Sequence, residues 1–262
     1  MGSMRRHFRW MTNPQLLVGF VVACLCLGAI SNIVRAATDI SEEKVPKHVK
    51  GAQLPPRAIL PDCAAVPCLA LSFDDGPDEQ VTPRVLDILA REHIKATFFV
   101  VGQRIEGREP MLRRMHAEGH EIGNHSWSHA DFTKLTPAEV DSQLRMTQAA
   151  IAKAGVPAPQ VFRPPYGAVN DMVKGHTRMT IVRWDIDPAD WEVMDAARIH
   201  ESILGQAKPG GIVLMHDIYS TTADALDSSI LDLKARGYQF VTVSQLMNLD
   251  PGDQGQYFGL PK

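Results

Sequence analysis

The chain has 262 residues, a formal net charge of -3, 45% hydrophobic and 22% charged residues. That suits one globular domain with some additional sequence. There is no basic excess to suggest a nucleic-acid partner, and no run of like charge marks an interaction tail.

Residues 1–3 read as a tag remnant. Arg5, Arg6 and Arg9 then precede an apolar run from Leu16 to Ile30, and Val34 and Ala36 flank a cleavage point. This is the order of a secretory signal, whose apolar core is about 7 to 15 residues long, whereas a spanning helix prefers about 20. Residues 1–36 are therefore expected to direct export, as a cleaved signal peptide or a retained anchor, with membrane association only through this segment. Residues 37–62 are charged and Pro-bearing and read as a linker. An exported chain meets an oxidising compartment. Cys63 and Cys68 accordingly either close a small disulfide loop or stay as two buried thiols.

From Cys68 onward, apolar runs alternate with longer segments of helical pattern. The runs are CLALSF, ATFFVVG, HEIGN, QVFR, MTIVRW, GIVLMH and YQFVTV. Between them lie VTPRVLDILAREH, PMLRRMHAEG, TPAEVDSQLRMTQAAIAKAG, DAARIHESILGQAK and ADALDSSILDLKARG, several with Thr, Asp or Pro at the start and Gly at the end. Such alternation predicts an α/β fold of parallel strands with helical crossovers, either an open sheet or a barrel, over residues 63–250, with 251–262 as a C-terminal tail.

Five of these runs end in a polar cluster: DDGP after Phe73, HSWSH after Asn124, RPPYG after Phe162, DIDPADW after Trp184, and HD after Met215. In parallel α/β folds the carboxyl ends of the strands converge on one face, so five clusters can meet in one cleft. Each alone has a plainer reading. Asp74-Asp75 before Gly76-Pro77 can be a capped turn, His125 and His129 two solvated histidines, Arg163 a surface ion pair and Trp191 a core residue. Taken together they suggest more. Adjacent carboxylates are tolerable beside a metal or an Arg, and imidazoles four residues apart can aim at one point. Two His and one carboxylate, with a carboxylate to spare, are the ligand count of a catalytic zinc site. One Asp would bind the ion and the other take a proton from activated water.

SFDDGP, HSWSH, RPPYG, DPADW and IVLMHD, in that order, resemble the five motifs of the polysaccharide deacetylase family, carbohydrate esterase family 4, over about Cys68 to Leu249. The resemblance implies a distorted (β/α)7 barrel. It implies Asp74 as general base, Asp75, His125 and His129 as metal ligands, and Arg163 as the residue that orients the base. It further implies the backbone amide of Tyr166 as oxyanion donor, His216 as general acid and Asp190 as its partner. Trp191, Leu214 and Pro165 would contact substrate. Zn2+ is the implied ion, with Co2+ or Ni2+ also compatible with such ligands. DCAAVPCLALSFDDGP also resembles secreted actinobacterial-type members, which favours the Cys63–Cys68 bridge.

The expected activity is hydrolysis of N-acetyl groups on amino-sugar polymers such as chitooligosaccharide or peptidoglycan, by an exported monomer whose partner is an acetylated polysaccharide or oligosaccharide substrate. O-acetyl ester cleavage on acetylxylan is the alternative within the same chemistry. A non-catalytic wall-binding module is the alternative from another class, and the complete set of ligands, base and acid speaks against it.

Overall fold

The computed structural model describes residues 60–250 and 252–259. The expected signal or anchor, and all but the end of the expected linker, lie outside the described residues. Among the described residues no helix is long and apolar enough to cross a membrane.

All seven apolar runs form strands: β1 Cys68–Asp74, β2 Thr97–Val100, β3 Glu121–Asn124, β4 Val161–Phe162, β5 Thr180–Val182, β6 Gly211–His216 and β7 Gln239–Val241. The five helical patterns become α1 Val81–Arg91, α2 Glu109–Ala117, α3 Pro137–Lys153, α6 Ala196–Gln206 and α7 Ser220–Ala235. Three short helices were not anticipated: α4 Asp171–His176, α5 Asp190–Val193 and α8 Val243–Met247. Local chemistry sets the long ones. In α1, Val81, Val85, Leu86 and Leu89 recur at helical spacing and are buried. In α3, Thr136 and Glu139 form a reciprocal capping box ahead of Pro137, satisfying amides that the first turn leaves without partners.

Every strand pair is parallel, in the order β6-β1-β2-β3-β4-β5. Residues 69–74 of β1 pair with β6 along one edge, while β2 takes residues 72–74 of the other edge and β7 takes 68–70. The sheet curls until the segment after β5 meets β6 through a single parallel bridge, Ile186 to Val213. The result is the distorted (β/α) barrel implied by the motifs. The residues set apart as a C-terminal tail do contribute to it: β8, Gln256–Tyr257, pairs in parallel with β5. Cys63 and Cys68 are joined by a disulfide.

Alternation along β1 divides the core. Leu69, Leu71 and Phe73 pack outward with Val85, Leu86 and Leu89 of α1 and with Ile230 and Leu233 of α7. Cys68 and Ala70 face the barrel interior with Phe99, Val161, Val182, Ile212 and Val241. Both faces of β1 are buried, which is why its sequence is continuously apolar until Ser72. Gly123 lies against Phe99, and a Cβ there would collide with the ring.

Candidate active site

Ser72 and Asp74 continue the inward-facing row of β1, and Arg163, following β4, reaches them from the opposite wall. Arg163 is fully buried. Its guanidinium donates to Asp74 Oδ1 at 2.8 Å, Ser72 Oγ at 2.9 Å, the Val182 carbonyl at 3.3 Å and the Arg183 carbonyl at 3.0 Å, and it stacks 4.2 Å from the Phe99 ring centroid. A buried charge is tolerable only with such pairing and bonding. Burial pushes the Asp74 carboxyl up, and Arg163 pulls it back only in part. The outcome is a fixed, desolvated carboxylate with raised basicity, suited to accepting a proton.

Asp74 Oδ2 lies 3.6 Å from His125 Nε2. Asp75 follows with φ 75°, a left-handed conformation that lets it face the same cavity as Asp74 instead of alternating away along the strand. Its Oδ1 lies 3.5 Å from His125 Nε2 and 3.3 Å from His129 Nε2. Donor atoms bound about 2.0–2.1 Å from one tetrahedral ion lie about 3.3–3.4 Å apart. Two further observations fit a metal. Asp75 Oδ1 is buried and has no hydrogen-bond partner among the described residues. His125 Nδ1 donates to the Arg163 carbonyl at 2.7 Å, which fixes the tautomer and leaves the Nε2 lone pair facing Asp75. Burial pushes His125 down to about 3, so the ring is neutral, as a ligand must be. No other group of three His, Cys, Asp or Glu side chains converges in this way among the described residues.

His216 ends β6, in register with Asp74 of β1. Its Nδ1 donates to Asp190 Oδ1 at 2.8 Å, and its backbone N–H donates to Asp190 Oδ2, also at 2.8 Å. Thr222 Oγ1 donates to the same Oδ2 at 2.6 Å. Burial acts to lower the imidazole pKa. The bond to Asp190 and its charge, aided by Asp74 and Asp75, outweigh that effect and push it up to about 9. Nε2 is left to face the cleft as a proton donor.

These elements enclose a cavity of about 380 Å3, lined by Asp74, Asp75, His125, His129, Tyr166, Trp184, Asp187, Trp191, Leu214, His216 and Tyr219. Nearly every expected residue thus converges, with Arg163 and Asp190 one layer behind the surface. Pro165 is the correction. It is buried and absent from the cavity lining, because the turn at Tyr166, φ 60°, presents the tyrosine instead. The Tyr166 backbone N–H has no protein acceptor among the described residues, and its ring meets His129 edge-on at 4.7 Å. Trp191 is half exposed, not core. Asp217 accepts the Gly76 N–H at 3.1 Å and a Thr82 hydroxyl, so it caps the loop after Asp75.

Sequence reasoning missed Tyr219, whose ring meets that of His216 edge-on at 5.8 Å. The available signal was its place three residues beyond the last motif histidine. Trp184 and Asp187 also line the cavity.

Fold and site together define a parallel-strand barrel whose strand ends hold a cradle for one metal ion, between a buried carboxylate and a carboxylate-bound histidine. The profile described as polysaccharide deacetylase matches residues 62–181. The chitooligosaccharide deacetylase of Bradyrhizobium sp. (strain ANU 289) is 36% identical over 203 residues, covering 71% of this chain and 93% of that protein. The chain belongs to the polysaccharide deacetylase family. The peptidoglycan-N-acetylglucosamine deacetylase PgdA of Listeria monocytogenes is 39% identical over 222 residues, 85% of this chain, which spans only 46% of that relative's length. Among solved structures, a family 4 acetyl xylan esterase from Clostridium thermocellum in complex with a cobalt ion superposes with a TM-score of 0.70 at 37% identity, over 74% of this chain and 100% of that one.

Proposed function

We propose that this protein is an exported, zinc-dependent hydrolase that removes N-acetyl groups from amino-sugar polymers, acting as a monomer. The observation that carries the reading is the single cavity in which Asp74, the Asp75–His125–His129 cradle and His216 meet.

Asp75, His125 and His129 would hold the ion, and these ligands would accept cobalt or nickel in place of zinc. When bound, the metal supplies Lewis-acid polarisation of the acyl oxygen and acidifies water toward neutral pH. Asp74 accepts the proton that the attacking water loses, held in line by Arg163. The Tyr166 N–H faces the developing oxyanion, and a donor of this kind typically contributes about 3 to 4 kcal/mol. His216 delivers a proton to the amine nitrogen as the carbon–nitrogen bond breaks, so that acetate and a free amine leave. Trp184, Trp191, Leu214 and Tyr219 provide apolar and aromatic surface for the acetyl methyl and the sugar face.

The test is acetate release by zinc-loaded protein from acetylated chitooligosaccharides, peptidoglycan and acetylxylan, compared side by side. Faster release from the two amide substrates supports the reading. Preference for acetylxylan would move the protein to the ester alternative, and no release from any of them would refute hydrolysis.

A further inference from the structure

The loop from His125 to His129 must present two imidazoles to Asp75, yet its backbone is unfavourable by itself. Ser126 and His129 both adopt left-handed conformations, with φ 71° and 57°, although neither is glycine. Something outside the loop must hold it. The carboxamide of Gln143, on α3, is placed to do so. Its Oε1 accepts the backbone N–H groups of both Trp127 and Ser128 at 2.9 Å, and its Nε2 donates to Ser128 Oγ at 2.9 Å. Asn124 secures the entry to the loop, accepting the Ser126 N–H at 2.8 Å and donating to the Leu144 carbonyl at 3.1 Å. The carbonyls of Ser126 and Trp127 accept from the backbone of Gly102 and Gln103.

We propose that Gln143 is a positioning residue for the metal centre: its side-chain oxygen, clamping two consecutive amides between the two histidines, pre-forms the ligand loop and thereby sets metal affinity. The side-chain bonds of Gln143 go to Trp127 and Ser128, between the two histidines; it lies outside every motif in the sequence and sits on a helix whose capping box and buried Val140 and Leu144 keep it fixed. Two successive N–H groups of an irregular loop need an acceptor, and one oxygen with two lone pairs supplies both. Without it the loop relaxes, and closing the cradle requires the ion to order the backbone. Partners that orient ligands in this way typically account for about 10- to 100-fold in metal affinity.

The inference rests on the metal-centred reading of the site, and the two are tested separately by measuring zinc affinity of the metal-stripped full chain against a chromogenic chelator. Wild-type protein that takes up no zinc would overturn the metal reading itself. Given wild-type binding, Gln143→Met, which keeps length and packing but has no amide, is expected to weaken zinc about 10- to 100-fold. Gln143→Glu, which keeps the acceptor oxygen, is expected to stay within about threefold of wild type. Thermal unfolding of the metal-free forms shows whether each variant is folded. Wild-type affinity in the Met variant, or equal loss in both variants, overturns the role. Amide hydrogen exchange on metal-free wild type gives a second reading that needs no variant. Protected Trp127 and Ser128 amides are expected, and unprotected ones would show that the loop is not pre-formed and overturn the proposal.

Discussion

Replacing Asp190 with Asn tests the proton-donor half of the site. Asp190 accepts three hydrogen bonds, from His216 Nδ1, His216 N and Thr222 Oγ1. Asn keeps the shape but has one acceptor oxygen and no charge, so it cannot serve all three donors. In the wild type the imidazole is pushed from its ordinary 6.5 up to about 9. That interval corresponds to about 3 kcal/mol in favour of the imidazolium. Without the carboxylate, burial is the largest remaining influence on the ring and acts downward. The His216 pKa should therefore return to about 6.5 or lower. At pH 8 the protonated fraction would fall from about nine-tenths to a few hundredths, a loss of about 30-fold in acid-dependent turnover. Near pH 6 the loss from this cause should be small. The assay is kcat/KM for acetate release between pH 5 and 10, in which the alkaline limb of the variant should lie two or more pH units below that of wild type. The same change should appear in folding. A histidine with a raised folded pKa adds stability that is complete below 6.5 and disappears as pH rises through about 9, so the variant should lose its excess stability below pH 6.5. An alkaline limb that stays in place would refute the argument that Asp190 holds His216 protonated.

Asp74→Asn should retain zinc stoichiometry by metal analysis while losing about 100- to 10,000-fold in turnover, whereas His125→Ala should lose both metal and activity. Equal metal loss in the two variants would contradict the assignment of Asp75 and not Asp74 as ligand. Arg163→Met breaks the buried pair at the barrel centre and leaves Asp74 uncompensated, at a cost of about 3–5 kcal/mol. Differential scanning calorimetry should show a melting temperature lower by on the order of 10 °C, and an unchanged value would contradict the central place of this pair.

The elements readable in advance were those whose signal lies within one segment. Seven apolar runs are seven strands, and in β1, buried on both faces, the imprint is continuously apolar up to Ser72. The meeting of Asp75, His125 and His129 followed from their places at strand ends. The unread parts depend on contacts made only in the folded chain. β8 is two residues long and has no periodicity, and its pairing with β5 is set by the edge available to it. Pro165 and Tyr166 are adjacent, but a left-handed turn decides which of them meets the cleft. Gln143 looks like any polar residue of an amphipathic helix, and only the loop folded onto it reveals its bonds. Trp184 packs partly against the core yet also lines the cavity, a double role that its place in an apolar run does not reveal.

Asp75, His125 and His129 are proposed to bind one ion beside Asp74. Anomalous diffraction from a zinc-soaked crystal, collected above and below the zinc edge, tests it directly. One strong peak is expected between Asp75 Oδ1 and the Nε2 atoms of both histidines. A peak elsewhere, or none in this cradle at saturating zinc, would contradict it.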